Sequence, residues 1–171
     1  HNDVQYIFVE SIVDSDQSTL VLRGATQSTL DEVERGFDDA LGVVSLVKED
    51  GKVVAGGGSS FVAMASYLRN HGASVGGRPQ MAIEAFADAL EVIPATIAGN
   101  AGHDPLDVVL AMRHEIQNGN LYHGPDVTDG GITNMRDAGI FEPTKLIKQA
   151  VLSATEVTTA LLRIDDIVGR R

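Results

Sequence analysis

The sequence predicts a mainly α-helical fold with a small α/β element at its N-terminal end. Apolar residues recur at helical spacing along several long stretches. Proline and aspartate stand where such stretches begin. Runs rich in β-branched residues are short and fall mainly in the first two dozen positions.

The elements follow in order. Val4–Val9 and Thr19–Leu22 are β-rich and flank the polar turn Asp14–Ser18, a pattern that fits a hairpin. Ser28 with Asp31 resembles a capping box and opens a helix carrying Leu30, Val33, Phe37, Leu41 and Val44 on one stripe. Gly51 ends it. Val53–Val54 and Gly56–Gly58 read as a loop, and a second helix runs from Ser59 to about Asn70. Gly72–Pro79 reads as a linker or turn. Pro79 opens a third helix through Ile83, Phe86, Ala87 and Leu90. Pro94 is expected to kink it, and Gly99 and Gly102 to terminate it.

Asp104-Pro105 is a helix start: a carboxylate N-cap, proline in the first turn, then Asp107 near the positive end of the dipole. That helix reaches about Gln117. Tyr122–Asn134, rich in Gly, Asp and Thr, reads as a turn or small hairpin. Pro143 opens a last helix through Leu146, Ile147, Ala150, Val151, Ala154, Val157 and Leu161, with Leu162–Val168 as its end or a tail strand.

Composition bounds the function. The chain has 171 residues, 43% hydrophobic, enough for one core. There is no apolar run of membrane-spanning length and no signal-peptide pattern, so a cytoplasmic protein is expected. The first residue is not Met and a strand-like segment follows at once, which points to an excised or truncated chain. Without cysteine, disulfides and thiolate metal sites are excluded. A net charge of −11 argues against nucleic acid or an anionic membrane as partner. Lysine occurs only at positions 48, 52, 145 and 148, a composition that fits either a high-salt cytoplasm or an ordinary acidic protein.

Few residues suggest chemistry. At 100° per residue Asp38 shares a face with Asp31, Ser45 and Glu49, whereas Asp39 aligns with Val43 and Leu46. A carboxylate at Asp39 could orient a water attacking a phosphate; it also fits a plain surface acid. Gly56–Gly58 before a helix allows close backbone approach and favours an anion, but no Lys-Ser/Thr follows, so it is not a Walker A loop; from the residues alone a plain start to the helix is the favoured reading. Asp126, Asp129 and Asp137 surround a Gly-rich turn in a spacing that is not an EF-hand. The histidines have no metal-ligand spacing, so no metal site is expected from protein side chains, and GxSxG is absent. A metal-dependent phosphohydrolase would need Asp38, Asp39 and Asp137 together.

Five segments are more specific: Thr19–Leu41, Val54–Ser60 (VAGGGSS), Ala82–Gly102, Asp137–Ala150 (DAGIFEPTKLIKQA) and Leu161–Val168 (LLRIDDIV). Together they resemble, in order, the second half of group II chaperonin subunits of the archaeal thermosome type, from about Tyr6 to Val168. The resemblance implies residues 1–48 as the closing part of an intermediate domain and residues 49–171 as the C-terminal half of a helical equatorial ATP-binding domain. It also implies that the apical domain and the GDGTT phosphate loop lie elsewhere.

By the same likeness, Asp39 in Glu34-Arg35…Asp39-Ala40-Leu41 is the carboxylate that positions the attacking water. Gly56 and Gly57 line the ribose side, Gly124 lies against adenine, and Asp137 is near the ribose hydroxyls. The implied cofactors are ATP and Mg²⁺. The implied partners are other chaperonin subunits in a double ring, homo- or hetero-oligomeric, and unfolded proteins held through the apical domain. ATPase activity is implied for a complete subunit; the isolated chain is expected to be inactive. A stand-alone helical interaction module derived from the same fold is the alternative. The chain departs from the family pattern at Ala55, where proline usually precedes the glycines, and at Phe61 and Ala63, which occupy usual acidic positions.

Overall fold

A computed structural model describes residues 20–164 of the chain. Five helices hold most of them: α1 (Gln27–Asp50), α2 (Ser59–Val75), α3 (Gly77–Asn100), α4 (Pro105–Gln117) and α5 (Thr144–Leu162). Four three-residue strands, β1 (Val53–Ala55), β2 (His123–Pro125), β3 (Ile132–Asn134) and β4 (Phe141–Pro143), complete the order β1-α2-α3-α4-β2-β3-β4-α5 after α1. The mainly helical class read from the sequence is therefore the observed one. The chain divides into two compact units within α1, between Ser45 and Leu46.

In the first unit, residues 20–24 form neither helix nor strand, and α1 follows. The hairpin expected between Val4–Val9 and Thr19–Leu22 lies mostly outside the described residues. The cap is Thr26, two residues before Ser28: its Oγ1 accepts from the Thr29 N–H at 3.2 Å. Asp31 instead accepts from the Gln27 amide at 2.7 Å. The helix carries the apolar stripe read from its period, but none of its residues is buried among the described residues.

The second unit packs α2, α3 and α4 together, with α5 laid against α2 and α3 near Ile147. One apolar cluster joins Phe61 and Ala65 of α2, Ala87 and Leu90 of α3, and Ile147 of α5. A second joins Val62, Ala98, Val108 and Met112 across α2, α3 and α4. Phe61 is thus a core side chain, where the desolvation of a carboxylate would be costly, and this accounts physically for an apolar residue at that position.

Two expectations are corrected. The linker or turn expected over Gly72–Pro79 is a tight turn only: α2 runs to Val75 and α3 starts at Gly77, with the reversal made by Gly76 and Gly77 at φ 70° and 66°. Gly72 sits inside α2, where a Cβ would come within 3.2 Å of Ile83 Cγ2; the glycine serves close helix approach rather than termination. Val53–Val54 is not loop but strand β1, paired antiparallel with β4 in the register Val53↔Pro143, Val54↔Glu142, Ala55↔Phe141. Pro94 remains inside α3, which continues to Asn100. The Asp104 start is as expected, its Oδ1 accepting from the N–H groups of Leu106 and Asp107. Helix α5 ends at Leu162, and residues beyond 164 lie outside the described region.

An ion cluster ties the three central helices. Glu91 of α3 is buried, at 5% exposure, and accepts from Arg69 of α2 (2.6 and 2.7 Å) and from Arg113 of α4. Arg69 also reaches Asp88 at 2.7 Å. Burial alone would push the Glu91 carboxyl up, but the Arg113 and Arg69 guanidiniums outweigh it and hold it below its ordinary range. Such a group is ionised in the folded chain at pH values where the unfolded chain has begun to protonate. Its contribution is therefore full above about pH 4.3 and is lost as pH falls through the depressed folded value. Glu91→Gln leaves two guanidiniums facing a neutral amide. The expected loss is about 3 kcal/mol in denaturant unfolding at pH 7, shrinking toward zero as the pH is lowered through the acid limb.

Candidate functional site

Strand β1 and helix α2 are joined by a turn of three glycines. Gly57 and Gly58 have φ 62° and 76°, a region that L side chains rarely adopt. The turn closes by hydrogen bonds from the Ser59 N–H to Gly56 O (3.2 Å) and from the Phe61 N–H to Gly58 O (3.1 Å). The Ser59 hydroxyl donates to Ala55 O at 2.8 Å from a buried position. Both serines after the glycines thus bond local backbone (Ser60 Oγ reaches the same carbonyl at 3.2 Å), so they stabilise the turn.

The turn is enclosed on three sides. A Cβ on Gly58 would lie 2.8 Å from Pro94 Cβ, so the proline inside α3 buttresses this corner. A Cβ on Gly56 would lie 3.0 Å from Ile140 Cγ2 and 3.1 Å from Glu142 Oε1. A Cβ on Gly57 would lie 2.7 Å from Met135 Sδ.

Gly124, far away in sequence, reaches the same place. It lies in β2, paired with Thr133 of β3 in the hairpin expected over Tyr122–Asn134. A Cβ there would lie 2.9 Å from Gly57 O. The structure therefore brings Gly56, Gly57 and Gly124 into one junction.

Asp137 is exposed, and its backbone N–H donates to Asn134 Oδ1 at 3.4 Å. A carboxylate that the sequence reading passed over, Glu142, lies at the junction beside Gly56. Burial raises the Glu142 carboxyl, and a hydrogen bond from the Gly57 backbone opposes that rise. The signal was available in the EP pair that closes the Gly139–Pro143 segment, but only the β1–β4 register sets it opposite Val54, next to the glycines.

Asp39 is an exposed residue of α1, on the first unit's side of the division. Asp126 accepts from the N–H groups of Thr128 and Asp129 at 2.9 and 3.1 Å, as turn chemistry requires, and these bonds hold its carboxyl below its ordinary range. Among the described residues, no three His, Asp or Glu side chains converge to hold a metal. Nor is any described helix long and apolar enough to cross a membrane.

The TCP-1/cpn60 chaperonin family model matches residues 1–171. The chain belongs to this chaperonin family. Its curated relatives include thermosome subunit alpha of Halobacterium salinarum, 49% identical over 95% of this chain and 29% of the relative. The thermosome subunit of Methanopyrus kandleri is 47% identical over 96% of this chain and 30% of the relative. The chain thus spans under a third of these relatives' length. Among solved structures, the open-state monomer of a group II chaperonin from Methanococcoides burtonii is similar with a TM-score of 0.69 and 41% identity. The match covers 84% of this chain and 36% of that one. The resemblance read from the five sequence segments is thereby established, and the chaperonin's helical second unit carries the glycine junction.

Two substitutions test this geometry. Gly57→Ala meets both an unfavourable φ and Met135, so it costs roughly 1–2 kcal/mol for the backbone plus an overpacking cost. Gly131→Ala has a similar φ of 77° but open space around it, and so carries the backbone cost alone. Denaturant unfolding is expected to rank Gly57→Ala as clearly the more destabilised. For Glu142 the sign is opposite to that of Glu91. A raised folded pKa gives stability that is full below the unfolded value and lost as pH rises through the folded one. Glu142→Gln is expected to raise Tm at pH 7 and to flatten this part of the pH profile, measured by thermal unfolding from pH 4 to 8.

Proposed function

We propose that this chain is the part of an ATP-dependent chaperonin subunit that supplies one wall of the nucleotide site. Residues 1–48 would close the intermediate domain, and residues 49–171 would form the C-terminal half of the equatorial domain. The observation that carries this reading is the convergence of Gly56, Gly57 and Gly124 with the half-buried Glu142. Backbone without side chains allows close approach to a flat, polar ligand, and an adjacent carboxylate accepts hydrogen bonds from ribose hydroxyls. Family membership over the whole chain supports the same assignment.

In this reading Gly56 and Gly57 face the ribose and Gly124 faces the adenine. Glu142 takes the hydroxyl-binding role, with the exposed Asp137 at the rim. Asp39, on the helix that crosses from one unit to the other, positions the water that attacks the terminal phosphate. Its exposed setting suits a group that meets its substrate only when domains close. Mg²⁺ would neutralise phosphate charge when bound. The described residues form no cation cluster, so no ligand to it is assigned in this chain. The assembled partners would be further subunits of a double ring, in the cytoplasm, enclosing unfolded proteins through an apical domain.

A second reading is an interaction module without ATPase activity. It is favoured by an apolar groove of about 510 Å³ between α2, α3 and α5, lined by Met64, Tyr67, Leu68, Phe86, Leu90 and Val151 among others.

Two measurements test the first reading. In the full-length subunit, Asp39→Ala is expected to retain nucleotide and to lose turnover by about 10²-fold or more. Unchanged steady-state ATPase would refute the role of Asp39. In isothermal titration the 171-residue chain alone is expected to bind MgATP with a Kd weaker than about 1 mM, since the phosphate contacts lie elsewhere. Micromolar binding would contradict the division of the site.

A further inference from the structure

The geometry points to Met135 as the positioning residue that sets the ribose-side and adenine-side turns relative to each other. This rests on the nucleotide reading above and adds to it a residue that touches neither base nor sugar. Met135 is 1% exposed, although it lies between the exposed Arg136 and the half-buried Asn134. Its thioether occupies the space that side chains at Gly57 and Gly124 would need. Sδ lies 2.7 Å from a Cβ built on Gly57, and Cγ and Cε lie 2.9 and 3.0 Å from one built on Gly124. One side chain therefore replaces two.

Its backbone makes the same connection. The Met135 N–H donates to Tyr122 O at 2.8 Å, at the base of the hairpin that holds Gly124. Met135 O accepts from the Ile140 N–H at 2.8 Å, and Ile140 O accepts from the Gly56 N–H at 3.0 Å. A relay of three hydrogen bonds thus runs from the Gly124 hairpin through Met135 to the glycine turn. The Arg136 guanidinium, 5.8 Å from the Tyr122 ring centroid, adds a second tie at the hairpin base. Methionine suits the position because an unbranched, polarisable chain fits the narrow space between two backbones.

The relay holds the turns in register, and the side chain fixes their spacing. Removing the side chain leaves the bonds in place but lets the two glycine backbones shift. A wall that is misplaced in both ground and transition states weakens nucleotide binding and leaves the chemical step alone.

The test combines hydrogen exchange on the 171-residue chain with steady-state ATPase in the full-length subunit that contains it. Met135→Ala is expected to speed amide exchange at both Gly56–Ser59 and His123–Gly124, while α4 keeps its protection. In the full-length protein it is expected to raise KM for ATP about tenfold with kcat within about twofold. Met135→Leu restores both readouts. Met135→Val, which removes Sδ and Cε but keeps bulk near the backbone, gives the same pattern to a smaller extent and serves if the alanine variant does not fold. Unchanged exchange in the two turns overturns the positioning role. So does a fall in kcat at constant KM. If the unsubstituted full-length protein binds no ATP, the nucleotide reading fails instead, and the exchange arm still decides whether Met135 couples the turns.

Discussion

Close backbone approach at the glycine junction is the constraint on which this site depends. Gly57 and Gly58 are bent into the left-handed region, and Gly124 brings a second chain segment to within 2.9 Å of Gly57 O, measured from where its Cβ would stand. No larger residue fits any of these three positions without moving Met135, Pro94 or the Gly57 carbonyl. Everything that makes the site converges there: the end of β1, the start of α2, the hairpin, and strand β4 with Glu142. The ion cluster at Glu91 and the two apolar clusters keep α2, α3 and α4 in fixed relation, so that Pro94 arrives against Gly58.

The helices were legible in the sequence because they announce themselves locally. The stripe from Leu30 to Val44, the Asp104-Pro105 start and the last stripe from Leu146 to Leu161 each rest on period and capping within one element. The errors came where tertiary contact overrides local preference. Gly72 reads as a breaker but serves helix approach. Strands β1 and β4 are three residues each, too short for a period, and pair across most of the second unit. Glu91 and Glu142 resemble ordinary surface acids in sequence; only packing makes one a buried bridge between two arginines and the other a half-buried neighbour of Gly57. Three of the site residues, Gly56, Gly57 and Gly124, were named from the resemblance and do meet in space, and Glu142, which no local motif singles out, stands beside them.

Several apolar surfaces remain uncovered in the described chain. Leu161 and Leu162 near the end of α5 are 63% and 81% exposed, and the groove beside Tyr67 and Phe86 is wholly apolar. Patches of this kind mark contact surfaces. In the proposed role they are faces that other parts of a complete subunit, or neighbouring subunits, would meet. The chain spans 29% and 30% of the length of two thermosome relatives.

The most direct measurement is a structure of the full-length subunit with a non-hydrolysable ATP analogue and Mg²⁺. The expected result has the ribose against Gly56, Gly57 and the Glu142 carboxylate, with adenine in van der Waals contact, about 4 Å, with Gly124. A nucleotide bound elsewhere, with the Gly57–Met135–Gly124 junction packed but out of reach of any ligand atom, would contradict it.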